Sequence, residues 1–98
     1  MHASLKVYGR VQNVFCRKYV SEIAKKMGIT GRVRNEKDKT VSVECECGGK
    51  ETFWKFVNEI KNGKKEGVFF AINVERVEVE EIIENSEKKF SSFEIDYS

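Results

Sequence analysis

Val41-Ser42-Val43-Glu44-Cys45-Glu46-Cys47 alternates apolar and polar residues without a break. A period of two puts Val41, Val43, Cys45 and Cys47 on one face of a β-strand and Ser42, Glu44 and Glu46 on the other. That strand has one buried face and one wet face. Before it, the polar cluster Glu36-Lys37-Asp38-Lys39 reads as the turn of a hairpin. The hairpin's other arm is the extended segment that begins with Ile29, Gly31 and Val33 and ends near Asn35.

Working outward, Tyr19, Val20, Ile23, Ala24 and Met27 recur at helical spacing, and Gly28 follows as a stop. This predicts a helix of about three turns with its N-terminus near Cys16 and Arg17. Ahead of it, Leu5, Val7 and Val11 mark a strand from Ser4 to Val11 that runs into a turn. On the other side, Gly48-Gly49 break the alternating strand. Phe53, Phe56, Val57 and Ile60 then give a second amphipathic helix ending before Asn62-Gly63, with Trp54 at its margin. Beyond a basic loop at Lys64-Lys65, Ile72 and Val74 and then Val77 and Val79 form two alternating runs. The phase slip between them reads as a bulge. Phe93, Ile95 and Tyr97 supply a short last strand.

Strand, helix, strand, strand, helix, strand is the order of an α+β, ferredoxin-like βαββαβ sandwich. The expected molecule is a mainly antiparallel sheet with two helices on one face and a short extra C-terminal strand, in one domain over residues 1–98. The 98 residues are 40% hydrophobic with seven Phe and one Trp, enough for a modest core and too apolar for a disordered chain. No apolar run approaches the roughly 20 residues that span a bilayer, and Met1 to Lys6 lack a signal-peptide stretch. Three cysteines cannot all pair within the chain, which suits reduced thiols. These features predict a cytoplasmic protein with no membrane contact, and a monomer is expected.

Charge is distributed unevenly. Residues 1–40 hold ten Lys or Arg against three acids, whereas residues 41–98 hold eight against thirteen. The first part should attract anions, or it forms only a solvated basic face. Within it, Gly9-Arg10-Val11-Gln12-Asn13-Val14-Phe15-Cys16-Arg17 joins the first strand to the first helix. Backbone N–H groups at a helix N-terminus lack helical partners and favour anions, and a loop there can form a concave nest for phosphate oxygens. Gln12, Asn13, Val14, Phe15 and Cys16 are the candidate donors through their backbones, and Arg17 can add a guanidinium fork. The plainer reading is an ordinary strand-to-helix turn with a surface arginine.

This loop resembles the signature of the acylphosphatase family, G-R-V-Q-G-V-x-[FY]-R, which is followed in that family by G-[FYW]-[AV]-[KR]-N. The second block stands here as Gly31-Arg32-Val33-Arg34-Asn35, and the similarity continues through Val74-Glu75-Arg76-Val77-Glu78-Val79. The resemblance implies a hydrolase that cleaves acyl phosphates to a carboxylate and inorganic phosphate without a metal or other cofactor. It also implies that Arg17 binds phosphate and Asn35 orients water. The chemistry is consistent, because phosphoryl transfer is catalysed chiefly by positioning and electrostatics. A carboxylate leaving group with a pKa near 4 departs without a general acid.

Several residues depart from the family pattern. Asn13 replaces a glycine, Cys16 and Arg32 replace aromatics, and Lys39 takes a hairpin position where the family often has glycine. Arg32 then faces solvent or adds positive potential. The segment from Lys64 to Asn73 lacks the usual Gly-Pro and is longer.

Competing chemistries fit the spacing less well. Cys16 directly precedes Arg17, which leaves no loop of the kind a cysteine phosphatase needs, so Cys16 reads as a small buried residue. Cys45 and Cys47 lack a second pair for zinc, and the only histidine, His2, reads as a mobile terminal residue rather than a base. RNA-recognition domains share the strand and helix order, yet the 41–47 strand is aliphatic and acidic where they carry stacking aromatics. A nucleic-acid partner is therefore not expected. The alternative is a catalytically degenerate relative that binds phosphate or a protein partner.

Overall fold

The computed structural model describes residues 1–97. Strands β1 (His2–Arg10), β2 (Thr30–Asn35), β3 (Val41–Glu46), β4 (Asn73–Ile83) and β5 (Phe93–Asp96) form one sheet in the order β4-β1-β3-β2-β5. All neighbours are antiparallel except β2 and β5, which run parallel. Helices α1 (Cys16–Lys26) and α2 (Lys50–Asn62) pack on the sheet, and a short 3-10 turn (Gly67–Phe69) precedes β4. This is the ferredoxin-like arrangement expected.

The apolar alternation accounts for the layers. Ala3, Leu5 and Val7 of β1, Val41, Val43 and Cys45 of β3, and Val33 of β2 are essentially buried beneath the helices. From above, α1 buries Tyr19, Val20, Ile23 and Ala24, and α2 buries Phe53, Phe56 and Ile60. Each helix thus covers the sheet with one stripe. The opposite face is polar, and its charges pair across strands. Arg32 meets Glu44 at 2.7 Å and Lys6 meets Asp38 at 2.8 Å. Arg32 thus faces solvent on the open side of the sheet, its side chain 42% exposed, with its charge paired to Glu44.

The phase slip in the fourth strand is a real bulge. Tyr8 pairs with Arg76 and Gly9 with Val74, leaving Glu75 over. Gly9 sits at φ +128°, where a Cβ would strike the backbone oxygen of Asn73. Glycine is needed here both for its backbone angle and for the close approach of β4.

Three local expectations are corrected. His2 is not mobile: it opens β1, is buried, and its Nε2 lies 3.5 Å from Glu44. Pairing with both β3 and β4 holds it in place, which a lone histidine near a terminus does not disclose. Tyr97 lies beyond β5, which ends at Asp96, and is 76% exposed. Cys47 follows β3 rather than belonging to it, although it is buried as expected.

Candidate functional site

The loop between β1 and α1 has an unusual backbone. Asn13 and Phe15 both lie at positive φ, 63° and 66°, with Val14 between them on the negative side. Alternation of left- and right-handed conformations turns successive N–H groups toward a common hollow. Among the described residues, the N–H groups of residues 12–17 find no acceptor. The cap residue of α1, Phe15, makes no side-chain capping bond, so the helix begins with its donors open. The side chains of the loop enclose a cavity of about 280 Å³ lined by Val11, Asn13, Phe15, Cys16 and Arg17.

Each loop residue has a separate part in this geometry. Val14 is buried and anchors the loop, whereas Phe15 is 61% exposed, so packing does not compensate its left-handed backbone. Asn13 tolerates φ 63° better than most non-glycine residues, and the loop keeps its turn without the family's glycine. Gln12 does more than offer an amide. Its Nε2 donates to the carbonyls of Glu36 and Thr40 at 2.7 and 2.8 Å, tying the loop to the β2–β3 hairpin.

Cys16 lies under the loop and is buried, and burial pushes its thiol up to about 12 despite an opposing pull from Lys65. At neutral pH it is a protonated thiol, ill suited to attack phosphorus.

Arg17 is half-buried at the first turn of α1. Its Nη1 donates to the Asp96 carbonyl at 3.1 Å, and the Tyr97 ring lies over its Cζ at 4.9 Å. A guanidinium carries five N–H donors, and Arg17 spends one within the described residues. Arg32, Arg34 and Arg76 differ, since each has a carboxylate within 3.3 Å. Among the described residues Arg17 makes no ion pair with a side chain.

Asn35 ends β2 on the helix-covered face shared with Gly31 and Val33, and its Oδ1 is buried without a hydrogen-bond partner. The anchors of the loop and of Arg17 converge on it. Gln12 is bonded to Glu36, the next residue after Asn35, and Asp96 pairs in register with Arg34, the one before. A buried carbonyl oxygen with no partner is a costly feature that a bound donor such as water would relieve.

The loop and Arg17 line one cavity, and Asn35, which is not among its lining residues, is tied to them through its neighbours, Glu36 bonded to Gln12 and Arg34 paired with Asp96. Asp96 and Tyr97 were missed by sequence reasoning, because their contact with Arg17 joins residues almost eighty positions apart. Tyr97's place in the apolar alternation signalled only a strand. Among the described residues no group of three His, Cys, Asp or Glu side chains is placed to hold a metal.

Comparison with known proteins follows the same line. A family model described as Acylphosphatase matches residues 3–95. An acylphosphatase of Methanospirillum hungatei is 41% identical over 78 residues, covering 80% of this chain and 80% of the relative. One from Oceanobacillus iheyensis is 34% identical over 96 residues, 98% of each chain. The crystal structure of acylphosphatase from Bacillus subtilis shares the fold with a TM-score of 0.81 and 31% identity, covering 98% of each chain. No helix among the described residues is long and apolar enough to cross a membrane.

Proposed function

The chain belongs to the acylphosphatase family and is an enzyme acting on small-molecule acyl phosphates; from that premise we propose how its own residues divide the work. Arg17 and the amides of Gln12, Asn13, Val14, Phe15 and Cys16 hold the phosphoryl oxygens. Asn35 orients the attacking water through Oδ1. The observation that carries this reading is the run of N–H groups in a loop of alternating handedness that find no acceptor among the described residues, ending in an arginine that makes no ion pair with a side chain among them.

The reaction needs little more. Water bound at Asn35 attacks phosphorus opposite the acyl oxygen, the P–O bond breaks, and the carboxylate leaves with the electron pair. The water proton passes to a phosphoryl oxygen, so no side-chain base is required. Donors fixed before the substrate arrives stabilise the charge that spreads over the equatorial oxygens. The leaving carboxylate, with a pKa near 4, needs no acid, which restricts the enzyme to acyl phosphates over alkyl esters.

The reading includes turnover without a metal, a cytoplasmic location and a monomer of one domain. It leaves nucleic acid out, and the pairing of Arg32 with Glu44 and Arg34 with Glu36 supports that, because these acids repel a phosphodiester backbone.

The test separates the two roles. Arg17→Ala should lose phosphate affinity and turnover together, whereas Asn35→Ala should keep most of the affinity and lose turnover by about a hundredfold. Phosphate titration by NMR beside turnover of both variants measures this. Equal loss of affinity in both would refute the division.

A further inference from the structure

The guanidinium of Arg17 is braced from one side by the end of β5, through a backbone carbonyl and a tyrosine ring. We propose that Tyr97 is a positioning residue for Arg17: its ring fixes the plane of the guanidinium so that the unspent N–H donors face the loop. This rests on the reading of Arg17 as the phosphate ligand.

A second arginine in the same molecule shows what the arrangement avoids. Arg76 also lies under a tyrosine, with Cζ 3.8 Å from the centre of the Tyr8 ring. There Glu78 completes the group, accepting from Arg76 Nε at 3.0 Å and from the Tyr8 hydroxyl at 2.8 Å. That cation is neutralised on the protein surface. At Arg17 the place of the carboxylate is taken by the Asp96 backbone carbonyl, at 3.1 Å, and the ring is Tyr97. A ring and a carbonyl orient a guanidinium without cancelling its charge, so its electrostatic attraction for an anion survives.

Two further observations separate this from ordinary packing. Tyr97 is 76% exposed, so its place over Arg17 is not a by-product of filling the core. Asp96 pairs with Arg34, next to Asn35, so one end of the β2–β5 pair carries both the brace and the amide. The long side chain of Arg17 would otherwise sample many rotamers, and each binding event would have to select one.

Tyr97→Ala, Tyr97→Leu and Tyr97→Phe, with Arg17→Ala as reference, test the proposal on the full chain. Inorganic phosphate is titrated by NMR, with the Arg17 Nε–H signal followed in the free protein, and benzoyl phosphate turnover is measured alongside. Tyr97→Ala and Tyr97→Leu should weaken phosphate binding by about fivefold, the size of an exposed cation–π contact. Both should broaden or shift the Arg17 Nε–H signal, and the melting temperature should stay near that of the parent. Tyr97→Phe keeps the ring and should restore affinity and signal.

Unchanged affinity in Tyr97→Ala, or equal loss in Tyr97→Phe, would overturn the proposal. Failure of the underlying reading looks different, since phosphate affinity would then survive in Arg17→Ala itself. Tyr97→Leu guards against a fold defect: it keeps apolar bulk without a π face, and parent-like affinity in it would refute the ring's role.

Discussion

At the scale of single residues, positive backbone angles mark where this chain departs from its family and what the departure costs. Lys39 adopts φ 72° at the hairpin, a conformation unfavourable by about 1 kcal/mol for a residue with a Cβ. Lys39→Gly should therefore raise stability by about 0.5–1 kcal/mol, read from urea unfolding, with no change in turnover. Asn13 makes the same excursion in the loop proposed to cradle phosphate, but an Asn tolerates it. Asn13→Gly should leave kcat/KM within about threefold of the parent, whereas Asn13→Val, β-branched and unsuited to φ 63°, should lose about tenfold or more in phosphate affinity. Parent-like phosphate binding by Asn13→Val would show that the loop does not need its left-handed turn.

At the scale of elements, the sheet's last segments are held by side chains that also place the site. The hairpin turn closes with Lys39 N–H on the Glu36 carbonyl at 3.2 Å, and Asp38 accepts from Lys6 across the sheet at 2.8 Å. Gln12 then fastens the loop to that same hairpin, so the loop inherits its rigidity. At the opposite end of β3, Glu46 receives the amides of Lys89 and Phe90 at 2.6 and 3.0 Å and the Thr30 hydroxyl at 2.8 Å. Burial alone would raise the Glu46 carboxyl, yet these donors and the nearby His2 hold it below the usual carboxylate range.

A carboxyl depressed in the folded state stabilises fully above its unfolded pKa, about 4.3 for Glu, and the contribution fades as pH falls through the folded value. Acid below about pH 4 should therefore free the segment before β5, seen as faster hydrogen exchange at Lys89 and Phe90. Glu46→Gln should exchange faster at neutral pH and lose this acid dependence. Exchange unaffected by either change would contradict the role given to Glu46.

Across the whole molecule, folding pairs three cations of the basic part with carboxylates and leaves its other cations, Arg17 among them, without an ion pair among the described residues. Lys6, Arg32 and Arg34 pair with Asp38, Glu44 and Glu36 on the open face, and Arg17 is left as a cation beside amides that find no acceptor among the described residues. That selection could not be read from composition, because it depends on register: Arg32 stands opposite Glu44 only once β2 and β3 align. The sheet and helices were legible because period two and period 3.6 are local signals, and the bulge at Glu75 left its mark as a slip between Val74 and Val77. The loop was legible through its motif and its position before a helix. The Gln12 tie, the burial of His2 and the brace on Arg17 were not, since each joins distant parts of the chain through one side chain.

The central claim is that fixed backbone donors and Arg17 suffice for hydrolysis of the carboxyl–phosphate bond. The most direct measurement is hydrolysis of benzoyl phosphate by the purified protein in EDTA, with Arg17→Ala prepared identically and p-nitrophenyl phosphate as a second substrate. Turnover of the acyl phosphate alone is expected, undiminished by EDTA, with a loss of about a thousandfold in Arg17→Ala. Activity abolished by EDTA and restored by a divalent ion, or full activity in Arg17→Ala, would contradict it.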